Sequence, residues 1–97
     1  MALVLAQEAV AAGTLEQLAS DQRTFLLMPY MHSESRTVHV QAERLFKQWT
    51  DEGHYRYELH HKAIIDRFGR YPHRNRLLDR ESSAEEVEFL AQPGSSF

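Results

Sequence analysis

Ser35-Arg-Thr-Val-His-Val-Gln-Ala-Glu-Arg-Leu-Phe-Lys-Gln-Trp49 decides the fold. Val38, Ala42, Leu45, Phe46 and Trp49 stand at i, i+4, i+7, i+8 and i+11, which places five apolar side chains on one face of a helix. A glycine, Gly53, is the expected stop. The following stretch, His54 to Phe68, repeats the pattern with Tyr57, His61, Ile64, Ile65 and Phe68, and again a glycine, Gly69, stands where a left-handed residue would close the helix. Two amphipathic helices joined by a short turn are expected to pack as a hairpin.

Outward from this pair the periodicity stays helical. Residues 2–12 are rich in Ala, Leu and Val, and Gly13 can end that helix. Ser20 and Asp21 are candidate caps for a second helix reaching Met31, with Pro29 expected to kink or end it. Pro72 suits the first position of a short helical turn. Ser83-Ala-Glu-Glu86 is a capping-box pattern that opens a last helix through Val87 and Leu90, ended by Pro93 and Gly94. No segment alternates as a strand. The expectation is a single all-α domain over residues 1–97, about five helices in antiparallel hairpins.

Composition narrows the function classes. A chain of 97 residues buries only about 60–65% of its unfolded surface, so its core must be compact. A hydrophobic fraction of 42% with 26% charged residues, balanced to a net charge of −3, argues for a folded and soluble chain. Without cysteine, thiol nucleophiles and zinc–thiolate sites are excluded, and the absence fits a cytoplasmic protein. The apolar start Met1-Ala-Leu-Val-Leu-Ala6 reaches Gln7 and Glu8 too soon for a signal peptide or membrane span. A net acidic chain without a Lys-rich arm is a poor nucleic-acid binder. Neither a glycine-rich phosphate loop nor a nucleophile elbow is present, and no cofactor is expected.

The polar candidates gather in two stretches. Arg67-Phe-Gly-Arg-Tyr-Pro-His-Arg-Asn75 packs Arg70, His73, Arg74 and Asn75 into one proline-led loop, either a rigid polar joint or a binding site. His32-Ser33-Glu34 follows the second helix, where Ser33 or Ser35 can cap the next one. His61, on the apolar stripe, is read as a core histidine satisfied by a carboxylate or carbonyl, against a competing reading as general base or ligand; His60 faces outward. If His32, Glu34, His61 and His73 met, they would offer three imidazoles and a carboxylate to a metal, although no known ligand spacing is matched. Arg67, Arg70, Arg74, Arg76 and Arg80 could grip a small anion or an acidic peptide, or pair internally with Glu81, Glu85, Glu86 and Glu88. Phe97 is a candidate to tuck into the core, its carboxylate meeting an arginine.

Taken together, Met28-Pro-Tyr-Met-His-Ser-Glu34, His61 with Ile64-Ile65, Arg67 to Asn75, Arg80-Glu-Ser82 and Pro93-Gly-Ser-Ser-Phe97 resemble a bacterial family known as domain of unknown function nine-two-four. The resemblance implies an all-α, tetratricopeptide-like fold with no established activity, and family motifs at His32, Ser33, Glu34, His61, Pro72, His73, Arg74 and Asn75. Its members are roughly twice this length, and this chain is similar to their C-terminal half. Apolar surface on the first helix is then expected to be uncovered, favouring a homodimer or pairing with a separately encoded N-terminal half. The leading expectation is a binding or scaffold module with Arg70, His73, Arg74 and Asn75 on a groove rim; the alternative is a metal protein or enzyme using His32, Glu34, His61 and His73.

Overall fold

The computed structural model describes residues 1–96; the reading made for Phe97 falls outside them. It contains five α-helices, α1 Ala2–Ala11, α2 Ser20–Met31, α3 Arg36–Trp49, α4 Glu52–Phe68 and α5 Ala84–Leu90, with short 3-10 turns at Thr14–Gln17 and Pro72–Arg74. No strand occurs among the described residues, so the all-α expectation holds. None of the described helices is long and apolar enough to cross a membrane.

The helix ends follow local chemistry. Gly13 and Gly69 take left-handed φ values of 76° and 74°, as expected for helix-ending glycines. Ser83 Oγ accepts the Glu86 N–H at 3.1 Å while Glu86 Oε1 accepts the Ser83 N–H at 2.9 Å, completing the expected capping box. Gly53 does not end α3. Thr50 stops that helix, its Oγ1 donating to the Phe46 carbonyl at 2.6 Å, and Asp51 caps α4 by accepting the His54 N–H at 2.8 Å, so Gly53 lies inside the first turn of α4. A carboxylate cap at the start of a helix outweighs glycine's tendency to end one. Ser20 likewise is already helical; Ala19 precedes it, its N–H held by Gln22 Oε1 at 3.0 Å. Helix α2 runs two residues past Pro29, because the Phe25 carbonyl that loses its partner sits at a residue 81% exposed to water.

The connections of α2 to α3 and of α3 to α4 are short, so each pair folds back side by side. Helices α1, α2 and α3 enclose Ala6, Leu15, Leu27, Tyr30, Met31, Ala42 and Phe46, with Val38, Leu45 and Trp49 packed against them. A second, smaller cluster joins Ile64 and Ile65 of α4 to Tyr71, flanked by Phe68 and Phe89. Tyr57, expected on the α4 stripe, is 57% exposed, and Glu58 is buried in its place. The molecule is elongated, 45 × 27 × 19 Å, with a radius of gyration of 14.3 Å against the roughly 13 Å of a globule this long.

Because Gly69 combines left-handed φ with an Arg36 guanidinium 3.2 Å from where a Cβ would stand, Gly69→Ala should cost about 1–2 kcal/mol in urea unfolding. An unchanged midpoint would mean the turn relaxes out of that conformation.

Candidate functional site

The loop after α4 and the turn between α2 and α3 meet over one end of the helical layer. Glu34, in that turn, is the hub. Its Oε2 accepts the Tyr71 N–H at 2.7 Å and Arg80 Nη2 at 3.1 Å, and its Oε1 accepts Arg80 Nη1 at 3.2 Å. Burial alone would raise the Glu34 carboxyl, but the Arg80 fork, the Tyr71 N–H and the charges of Arg80 and Arg74 outweigh it and hold the group below its ordinary range. Arg80 also donates to the Tyr71 carbonyl at 3.3 Å, so it spans both strands of chain that it ties together.

Arg70 is committed in the same manner. Its Nε and Nη2 grip Glu86 at 2.9 and 2.7 Å, and Nη2 reaches the Glu81 carbonyl at 2.7 Å. The Arg70 fork, helped by the Ser83 N–H and Asn75, holds the Glu86 carboxyl down at about 2 against the opposing effect of burial. Of the internal partners expected for the arginine run, Glu86 supplies a carboxylate and Glu81 a backbone oxygen. Asn75 is only 2% exposed; its Nδ2 donates to Ser82 Oγ at 3.0 Å, and its carbonyl accepts the Arg80 N–H at 2.8 Å. Arg74 donates to the His32 carbonyl at 2.9 Å and lies 4.7 Å above the Tyr71 ring.

The histidines occupy different environments. His32 is exposed at the end of α2, its ring 6.1 Å from that of His61. His61 is 1% exposed, and its Nδ1 donates to the Tyr57 carbonyl at 2.8 Å, the carbonyl-satisfied core histidine of the sequence reading. Burial drives its imidazole down to about 4. His73 is partly buried, its ring 5.9 Å from Tyr71, and burial followed by the Arg74 charge lowers it. His32, Glu34, His61 and His73 do not form a metal site: no group of three or more His, Asp or Glu among the described residues is placed to hold an ion. Glu34 spends both oxygens on Arg80 and Tyr71, which removes the one carboxylate of that set.

The most deeply buried polar group went unpredicted. His39 of α3 and Glu58 of α4 are both fully buried, Nδ1 to Oε2 at 2.8 Å, and His39 Nε2 lies 2.6 Å from the Ser33 carbonyl and 2.9 Å from the Tyr71 hydroxyl. Tyr71 in turn donates to the Met31 carbonyl. The signal was present: His39, Ala42 and Phe46 share the spacing i, i+3, i+7 with Glu58, His61 and Ile65, so the first position of each inward face is an ionisable residue. A groove of about 370 Å³ lies between α1, α2 and α3, with Val10, Ala11, Tyr30 and Leu45 on its apolar side and Gln7, Gln41, Arg44 and Gln48 on its polar side.

Two outcomes follow from this chemistry. His61 has a depressed native value, so the stability it contributes is complete above pH about 6.5 and is lost as pH falls from there toward 4, up to about 3 kcal/mol. Glu58, raised by burial, acts in the opposite sense, and Glu86 loses its contribution only as pH falls from the ordinary carboxyl value toward about 2. His61→Leu should therefore flatten the loss of melting temperature over that interval, and an unaltered pH profile would show that His61 does not govern it. Tyr71→Phe strands the buried Met31 carbonyl and should cost about 1–3 kcal/mol in chemical denaturation.

Comparison with known proteins places this geometry. The solved structure of a protein of unknown function from Agrobacterium tumefaciens, ATU0120, is similar, with 32% identity and a TM-score of 0.86 over 92% of this chain and 50% of that one. This chain thus spans about half the length of that protein. No curated protein matches it. A family described as bacterial protein of unknown function (DUF924) matches residues 1–94, and the chain belongs to that family.

Proposed function

We propose that this chain is a helical interaction module, tetratricopeptide-like in its stacking, which receives another helical body on its α1 end. The observation that carries the proposal is the imbalance of α1. Nearly all its residues are apolar, yet only Ala6 is buried, while Val4 and Leu5 are 50% and 58% exposed. A helix that is apolar around most of its circumference is one built to be covered on more than one side. The groove beside it adds Leu45 and Tyr30 as apolar floor and Gln41, Arg44 and Gln48 as polar rim, the composition of a protein-binding surface. The Glu34–Arg80 and Arg70–Glu86 forks tie the loop after α4 to the α2–α3 turn and to α5, as a terminal cap closes a stacked array.

The occupant we infer is a counterpart of the half of the Agrobacterium tumefaciens protein that this chain does not match. That protein has as much chain again beyond the part this one matches. A cysteine-free composition suits a reducing cytoplasm, where we place this module. The loop of residues 70–75 serves as brace in this reading. A small anion or acidic peptide at Arg70 would have to displace Glu86 from a bidentate pair, whereas the groove at α1 demands no such exchange.

Mixing this chain with the unmatched half of the Agrobacterium tumefaciens protein should give a one-to-one complex in sedimentation velocity. Leu5→Glu should weaken it at least about tenfold, since a buried leucine contributes about 1.5–3 kcal/mol. Absence of a complex at micromolar concentration, or indifference to Leu5→Glu, would overturn the proposal. A dimer of the chain alone that Leu5→Glu abolishes would replace the inferred occupant with a second copy.

A further inference from the structure

The His39–Glu58–Tyr71 chain is sealed from solvent, so no substrate reaches it, yet its hydrogen-bond pattern fixes where protons reside. The Ser33 carbonyl, 2.6 Å from His39 Nε2, can only accept, so Nε2 carries a hydrogen. The Tyr71 hydroxyl spends its own hydrogen on the Met31 carbonyl and turns a lone pair toward the same Nε2. One proton then lies in the 2.8 Å bridge between Nδ1 and Glu58 Oε2, on the nitrogen or on the oxygen.

The other carboxyl oxygen decides between them. Glu58 Oε1 is buried with no hydrogen-bond partner among the described residues. An ionised carboxylate would leave half of its charge on that unpaired oxygen in a site of zero exposure, whereas a carboxylic acid leaves only a carbonyl there, at far smaller cost. The surrounding charges do not reverse this. From α3 come His39 and Glu43, the latter repelling a second negative charge; from α4 comes Lys62, whose ammonium is bound to Asp66 at 2.7 Å; from the loop comes the Tyr71 hydroxyl.

We propose that Glu58 is held as a neutral carboxylic acid that donates to His39 Nδ1, making His39, Glu58 and Tyr71 a proton-dependent latch between α3, α4 and the loop after α4. Burial, the first cause acting on Glu58, raises its carboxyl. The stability that the acid form contributes is therefore complete below the ordinary carboxyl value and is lost as pH rises through the raised native one. As pH rises through that raised value the bridging proton passes to solvent, leaving a carboxylate facing the bare Nδ1 lone pair, and the latch opens.

Infrared spectra of the wild-type chain test this directly. Of the fourteen Asp and Glu side chains, Glu58 should give a protonated carboxyl C=O band at neutral pH, which disappears on raising the pH together with part of the urea resistance. Glu58→Gln, whose amide N–H replaces the acid O–H, should keep the neutral-pH urea midpoint and lose the alkaline decline. Absence of a carboxylic acid band at neutral pH would overturn the proposal whether or not the variant folds, and so would a folded Glu58→Gln protein with a clearly lowered midpoint, the result an ion pair requires.

Discussion

The hydroxyl of Tyr71 is the point through which the two halves of the core are joined. Its ring belongs to the Ile64 and Ile65 cluster, while its oxygen reaches the Met31 carbonyl and His39, inside the larger cluster built by α1, α2 and α3. A buried donor and acceptor must be met or their full desolvation cost is incurred, so the loop can adopt only the placement that brings this oxygen to both partners. The two arginine forks then set the loop from outside: Arg80 ties it to Glu34 before α3, and Arg70 ties it to Glu86 in α5. Arginine suits both positions because a planar guanidinium meets a carboxylate with two parallel hydrogen bonds and so fixes direction as well as distance.

This arrangement explains a polar content that looks, residue by residue, like an active site. His61, Arg70, Arg74 and Asn75 are engaged by protein groups: three backbone carbonyls, one carboxylate and one serine hydroxyl accept their hydrogen bonds. The chemistry that sets them apart is also what lets a small domain pin an irregular loop without disulfides. Exposed apolar side chains include Val4 and Leu5 of α1, Phe25 of α2, and Leu77 and Leu78 of the loop after α4.

Much of the fold could be read from the chain because helix periodicity, helix-ending glycines and the Ser83 capping box are local signals. The misplaced boundary at Gly53 shows where local signals compete: a nearby aspartate cap took precedence over a glycine, and only the observed hydrogen bonds rank the two. The site was legible in its members but not in its pairings. Glu34 and Arg80 are separated by the whole of α3 and α4, and nothing in either segment announces the other. Glu58 was missed because a charged residue is ordinarily assigned to the solvent face, and its burial makes sense only once His39 is known to face it. Tyr57 was placed inward by the same periodicity that its neighbour overrode.

The long reach of the Glu34 fork also bears on how the chain is made. During synthesis, α2, α3 and α4 leave the ribosome before Arg80, so for that interval Glu34 has no guanidinium to answer it and the Tyr71 loop has no outer tie. Helix formation and loop locking are thus separated in the order of synthesis: a chain ending before Arg80 already holds the segments of α1 to α4 but lacks both the clasp on Glu34 and α5 with its Glu86 tie to Arg70.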